Sequence, residues 1–346
     1  MAAPSLTLSN PGVIKNDSGT WAKDNALFLK VFSGEVLSAF KRVNVFEDTV
    51  QTRTIQSGKS AQFPVTGRFK SSFHTPGEMI VGQGQLEQNE VVVKIDNLLI
   101  ADATLYDLDD AKNHYDIRSI YSTELGEALA RAMDKRIARV LTLGARTSTA
   151  DLSANQPTGL TPDQAARTGS RVDLNKATPT ADDYVAAVFA AARALDEKDV
   201  SSEGRVLACT PEAFYSLIQS SRAVNFDFNQ QGTNGSYKEG QIVKLAGFNI
   251  IPSNNIAQGD VTAQTGEQGY TFNGSDVTLS SVDMTQTKML AYQRGAAGVL
   301  KLRDLAMQMS GNDYNVMYQA TLMVAKYACG FAPLRPECCV EIYNSQ

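Results

Sequence analysis

The sequence predicts an α+β protein organised around one long helix, with strand-rich sequence before it and a mixed helix–strand module after it. Three observations carry this. Tyr121, Leu125, Leu129, Met133, Ile137 and Leu141 recur every four residues, flanked by Ile117, Ala128 and Val140, which makes one apolar stripe on a helix. Residues 50–105 change to β-rich runs broken by glycines and a proline. After Val299 the alternating pattern returns in VLKLRDLAMQM, NVMYQATLMVAKYACGF and ECCVEIYN.

The elements follow in order. Residues 1–22 are rich in Ser, Asn, Gly and Pro and read as an arm that is flexible or ordered by a partner. A helix is expected from Asp24 to Arg42, with Gly34 its weak point. It carries Phe28, Phe32 and Phe40, a large apolar area that its own chain or a neighbour must cover. TRTIQSGKSAQFPV and EVVVKIDNLLIADATLY then predict a long antiparallel hairpin with a wide loop at its tip. A hairpin two strands wide does not hold itself in water, so it needs a surface, and another copy of the chain would provide one.

The long helix opens at Asp107, Asp109, Asp110 and Asp116, where backbone N–H groups and the helix dipole favour negative charge. Gly144 stands where a left-handed C-terminal residue is expected. A helix of about 28 to 34 residues would reach roughly 42 to 51 Å. Residues 147–178 read as a polar linker. Thr180, with Asp183 three positions on, is a capping-box-like helix start. RVLACT reads as a buried strand; Thr210 caps the next helix and Pro211 begins it. GFNIIPS, VTLSSVDM and MLAYQRG are further strands, and the late runs are expected to form a β layer on the long helix. The α/β stretch then lies between two halves of one domain. The expected divisions are 1–49, 50–105, 106–179 with 299–346, and 180–298.

Composition narrows the function. The 346 residues suggest two or three units, and 43% hydrophobic residues suit a packed core. A net charge of −5 argues against a dedicated nucleic-acid binder. No apolar run is long enough to span a membrane, and the N-terminus lacks the pattern of a secretory signal. Cys209, Cys329, Cys338 and Cys339 include no CxxC, which favours reduced thiols over a disulfide framework or zinc site.

Motifs for chemistry are sparse. SGKS at Ser57–Ser60 lacks the upstream glycine of a phosphate loop, since Arg53 stands there, and no helix is expected after it. His74 and His114 are the two histidines, and no GxSxG accompanies them. DLDD at Asp107–Asp110 lacks the glycine and distal glutamate of a calcium loop. No catalytic residue, cofactor or metal ligand is therefore expected; the alternative is a soluble cytosolic α/β enzyme with its site at Cys209 or His74. Arg53, Lys59, Arg68 and Lys70 read either as a solvated edge strand whose charges block unwanted pairing or as a face that docks on an acidic neighbour, such as the aspartates at the start of the long helix; Phe63 is expected at the same contact.

NALFLKVFSGEVLSAF, RTIQSGKSAQFPVTGR, LYDLDDAKNHYDIRSIYSTELGEALA, LKLRDLA and AKYACGFAPLRPE resemble, in order, the major capsid proteins of T7-like short-tailed phages. The resemblance is weakest in residues 1–20 and 147–290. It implies the HK97-like capsid fold: an N-terminal arm, an extended loop, a long spine helix in a peripheral domain, and an inserted axial domain. It implies a structural subunit of hexamers and pentamers in an icosahedral head, of the T=7 kind. The implied partners are the chain itself, a scaffolding protein, a portal at one vertex and non-specifically held double-stranded DNA, with no membrane. The implied location is the virion, assembled in the bacterial cytoplasm. A covalent crosslink from Lys59 is not implied for this group.

Overall fold

The computed structural model describes residues 14–15, 21–22, 45–66, 73–80, 88–112, 117–149, 151, 167–220, 235–236, 241–242, 244–256, 269–272, 275–310 and 312–346. In chain order the strands before the long helix are β1 (Ile14–Lys15), β2 (Trp21–Ala22), β3 (Gln51–Thr54), β4 (Ser60–Thr66), β5 (Gln88–Lys94) and β6 (Leu99–Tyr106). Two helices follow, α1 (Asp107–Ala111) and α2 (Ile117–Arg146). Next come β7 (Ser170–Asp173), α3 (Ala181–Asp196), β8 (Arg205–Cys209) and α4 (Pro211–Gln219). Short strands β9 (Gly235–Ser236), β10 (Gln241–Ile242) and β11 (Lys244–Leu245) lead to β12 (Phe248–Pro252), β13 (Gly269–Phe272) and β14 (Ser275–Thr278). The chain closes with β15 (Thr287–Gln293), β16 (Ala297–Met309), α5 (Asn312–Tyr318), β17 (Ala320–Pro333) and β18 (Cys339–Tyr343).

The chain divides into two compact units, one of residues 1–44, 98–133 and 303–328, the other of residues 45–97, 134–302 and 329–346. In the first, β6 pairs antiparallel with β17, from Ala320 opposite Tyr106 to Tyr327 opposite Leu99. The far end of β16 reaches the same strand, where the Ser310 N–H donates to the Leu322 carbonyl at 2.8 Å. Leu125, Leu129 and Met133 of the helical stripe are buried here, as the four-residue spacing requires.

The second unit is built on a six-stranded sheet of order β11-β12-β8-β15-β18-β7. β8 lies inside it, parallel to β12 and antiparallel to β15, and all five of its residues are buried. Both faces of the sheet are covered there, so Val206–Cys209 is a continuous apolar run rather than an alternating one. On one face Leu207, Met289 and Ile342 meet Tyr184, Val188 and Leu195 of α3 and Leu217 of α4. On the other, a Cβ on Gly144 of α2 would stand 3.0 Å from Cys339 Sγ. At the start of α3, Asp183 accepts from the Thr180 N–H at 2.8 Å and from its hydroxyl at 2.6 Å. Thr210 caps α4 by accepting from the Ala213 N–H at 3.4 Å.

Five expectations are corrected. The long helix does not begin at Asp107: that residue, Asp109 and Asp110 belong to the separate short helix α1, and α2 has no acidic residue in its first turn. Gly144 does not stop the helix, which runs on to Arg146 for a length of 30 residues, about 45 Å. A Cβ there would instead crowd the Cys339 side chain, at 3.0 Å from its Sγ. ECCVEIYN does not join the other late strands, because β18 pairs with β15 and β7. The linker holds β7, which runs parallel to β18. NVMY is helical, not strand: α5 ends at Tyr318, and Gln319, in the left-handed region at φ 49°, turns the chain into β17.

Two buried carboxylates tie this unit together. Glu341 of β18, 0% exposed, accepts from Arg146 Nε at 2.9 Å and Nη2 at 2.6 Å, Arg171 Nε at 2.9 Å and Thr287 Oγ1 at 2.7 Å. Burial alone would raise its carboxyl, but the bonds and charge of Arg146, with Thr287 and Arg171, hold it below the ordinary value. Asp134 of α2 accepts from the Val45 N–H at 3.1 Å, the Phe46 N–H at 3.4 Å and Asn255 Nδ2 at 3.3 Å. There burial outweighs the bonds and pushes the carboxyl up to about 6.

Candidate assembly surfaces

The expected hairpin is a ribbon of β4 and β5, in register from Ser60 opposite Lys94 to Thr66 opposite Gln88. It is narrower than the sequence reading, because β3 leaves to run parallel to β16 and β6 leaves to pair with β17. Side chains alternate along it, so its two faces differ. Ala61, Phe63 and Val93 turn inward onto Leu300, Ala332 and Leu334. Gln62 turns outward, and its amide donates to Glu90 Oε1 at 2.9 Å.

The root of the ribbon is fixed to the body of its own unit. The Ile95 N–H donates to the Lys59 carbonyl at 2.9 Å, and the Asp96 N–H to the Cys329 carbonyl at 3.1 Å. Asp96 pairs with Arg136 at 3.5 Å, both almost wholly buried. A Cβ on Gly330 would run into the Lys94 carbonyl, so only glycine permits that approach.

This changes the expected roles. Phe63, expected to touch a neighbour, is 7% exposed and covered by its own chain. Its period-two partner Ala61 faces the same way, onto Leu300 and Leu334. Arg53 lies exposed on β3; its Nη1 donates to the Gln62 carbonyl at 2.8 Å, and its guanidinium stands 5.8 Å from the Phe63 ring. Lys59 is exposed in the turn before β4, and Asp107 at the start of α1. Asp109 and Asp110 share that helix with Asp107. Phe28, Phe32, Phe40, Arg68, Lys70, His114 and Asp116 lie outside the described residues.

Sequence reasoning missed the segment Phe73–Ile80, which turns at Thr75–Glu78 with Gly77 in the left-handed region at φ 95°. Phe73 is fully exposed there, with Met79 85% and Ile80 79% exposed. The signal was present as three large apolar residues inside a turn-forming sequence, where nothing local buries them.

The candidates for enzyme chemistry are inert or isolated. All four cysteines are free and buried. Burial pushes Cys209 and Cys329 up to about 12 and Cys338 to about 11, far from the thiolate a nucleophile requires. His74 is exposed on the segment just described. Among the described residues no cluster of His, Cys, Asp or Glu could hold a metal, and no helix is long and apolar enough to cross a membrane.

Comparison with known proteins agrees with a surface-built protein. The family described as Gp10A-like major capsid protein matches residues 62–343. The major capsid protein of Escherichia phage T7 is 33% identical over 90% of this chain and 90% of its own. That of Enterobacteria phage T3 is also 33% identical, with the same coverage of both chains. The capsid structure of cyanophage P-SCSP1u covers 99% of both chains at 36% identity, with a TM-score of 0.75. The mature capsid of bacteriophage PhiM1 shares the fold at 18% identity, with a TM-score of 0.70 over 94% of this chain and 95% of that one. With the family matched over most of its length, the chain belongs to the Gp10A-like major capsid proteins, which are structural proteins and not enzymes.

Proposed function

We propose that this chain is the repeating tile of an icosahedral phage head, joining six- and five-fold capsomers that enclose double-stranded DNA. The observation that carries the reading is the exposed apolar segment Phe73–Ile80, reached through a ribbon whose root is fixed to its own unit. Three large apolar side chains held in water are unfavourable unless another surface covers them. In a head built from many copies that surface belongs to a neighbour. Many such contacts, each weak, sum to a stable closed shell.

In the HK97-like arrangement this reading implies, residues 180–298 serve as the axial domain. The arm helix with Phe28, Phe32 and Phe40 and the loop with Arg53, Lys59, Arg68 and Lys70 reach across to neighbours. The acids Asp107, Asp109, Asp110 and Asp116 receive the loop's positive charge. A scaffolding protein directs closure in the bacterial cytoplasm, a portal occupies one vertex, and the T=7 geometry follows that of the T7-like group. A net charge of −5 suits a wall that does not grip its genome.

Co-expression with the scaffolding protein of its phage, viewed by negative-stain microscopy, tests this. Closed shells of uniform size are expected. Monodisperse monomers under those conditions would overturn it.

A further inference from the structure

Residues 45–50, where the chain enters the second unit from residues 1–44, form a short plug held at both ends. Phe46 and Val50 are wholly buried. At one end the Thr49 hydroxyl donates to the Phe46 carbonyl at 2.7 Å and so accepts from the Tyr292 hydroxyl of β15, also at 2.7 Å. At the other end Asp134 of α2 grips two successive backbone N–H groups, Val45 on Oδ2 and Phe46 on Oδ1. Oδ2 also accepts from Asn255 Nδ2. These three donors are uncharged. The charged side chains on the surrounding elements are paired elsewhere or face water: Arg136 of α2 with Asp96, Glu47 of the plug with Lys301, Lys288 of β15 with Glu212, and Asp48 exposed. Lys135 and Arg139 are the other charges of this part of α2. Tyr292 stays neutral, because burial pushes its hydroxyl up and the charge of Asp134 adds to that. A titratable carboxylate is thus buried against the backbone of the plug, and nothing in the tile's architecture so far uses its proton.

We propose that Asp134 is a proton-operated clasp on residues 45–50, shut when its carboxyl holds a proton and poised to open when it is ionised. The two oxygens suit this. A proton on Oδ1, whose bond from Phe46 is long at 3.4 Å, leaves Oδ2 as a carbonyl oxygen that keeps Val45 at 3.1 Å and Asn255 at 3.3 Å. Ionised, the same group is a charge held out of water, and opening the plug returns it to solvent. Closing therefore takes up a proton, and acid favours the closed plug. As the plug is the root of residues 1–44, the clasp would set how firmly that segment is held before it reaches a neighbour. This last step deepens the proposed function and rests on it; the clasp itself does not.

Hydrogen exchange of residues 45–50 in free subunits of the full chain, corrected for intrinsic rates, tests it. With Asp134 titrating near 6 when closed and near 3.8 when open, protection is expected to be about tenfold lower at pH 8 than at pH 5. At both pH values residues 45–50 are expected to exchange faster than residues 205–209 of β8. Asp134→Asn, which cannot titrate, is expected to show equal protection of the plug at the two pH values. Protection in the wild type that is constant or rises with pH overturns the proposal. So does a full pH step retained in Asp134→Asn, since another group would then carry it. Protection equal to that of β8 overturns it too, because the plug would open only when the whole unit unfolds. Should Asp134→Asn fail to fold, the two wild-type comparisons still decide. Failure of the wild type to close shells overturns the proposed function alone, because the clasp is read in free subunits.

Discussion

The six-stranded sheet and the β4–β5 ribbon are both β-structure in one compact unit, yet they solve burial in opposite ways. β8 and β15 are covered on both faces, and even the charge of Glu341 is answered inside by Arg146, Arg171 and Thr287. The ribbon covers one face with its own chain and carries Gln62 and Pro64 outward on the other. Beyond it the Phe73–Ile80 segment exposes its apolar side chains. The sheet is thus complete as a monomer, and the ribbon is complete only at its root. Stability and assembly should therefore respond to different residues.

The sharpest way to break that contrast is at the sheet. Glu341→Ala removes a wholly buried carboxylate and leaves the partly buried Arg146 without its partner, while Arg171 is exposed; removing one member of a buried pair costs at most about 3 to 5 kcal/mol. Denaturant unfolding of free subunits measures it; a loss below about 1 kcal/mol would mean the cluster is not a structural centre. The pH dependence has a defined sign. The folded carboxyl is held below its ordinary value, so its stabilisation is present above the unfolded value and is lost as pH falls through the folded one.

Next in size is the inward face of the ribbon. Phe63→Ala removes the largest side chain that the ribbon packs on Leu300 and Leu334, and such truncations cost about 3 kcal/mol or more. Unfolding of free subunits should show the loss without any assembly step. If only shells were weakened, and free subunits were not, Phe63 would face a neighbour after all.

Asp134 offers a smaller effect with the opposite pH sign. Its folded value of about 6 lies above the ordinary value of 3.8, so the folded state keeps the proton longer than the unfolded one. Its stabilising contribution is full below the unfolded value and is lost as pH rises through about 6. A shift of that size corresponds to at most about 3 kcal/mol. Asp134→Asn should flatten the stability profile between about pH 4 and pH 7 relative to the wild type. Thermal unfolding across that range reads it, and an unchanged slope would assign the titration to another group.

Much of the fold was legible in the sequence wherever the signal is local. The stripe of Leu125, Leu129, Met133, Ile137 and Leu141, the Thr180–Asp183 start of α3 and the buried run RVLAC all depend on neighbours a few residues away. What failed depends on distant partners. Gly144 looks like a helix stop until Cys339, far along the chain, is brought against it. ECCVEIYN alternates in the same way whichever sheet it enters, and its place is set by β15 and β7. Four-residue β7 is too short to show a period. At the ribbon, alternation showed that Ala61 and Phe63 share a face but not which molecule covers it. Phe63 is covered by its own chain, and the exposed Phe73, Met79 and Ile80 were overlooked.

The smallest expected effect on stability carries the greatest consequence for function. Phe73→Ser with Met79→Ser changes two exposed side chains that bury little in the free subunit. Exposed substitutions of this kind usually shift stability by no more than about 0.5 kcal/mol. The unfolding midpoint of the subunit should therefore stay where it was. In a closed shell the same side chains lose their water, and each large apolar group fully buried there is worth about 1.5 to 3 kcal/mol. That contribution repeats at every copy, so the doubly substituted chain should remain soluble while scaffold-assisted shell yield collapses. Unfolding curves and negative-stain counts on the same preparation separate the two readings. A destabilised subunit would place the segment in the chain's own core. Normal shells from a stable double variant would show that the apolar tip is not what neighbours hold.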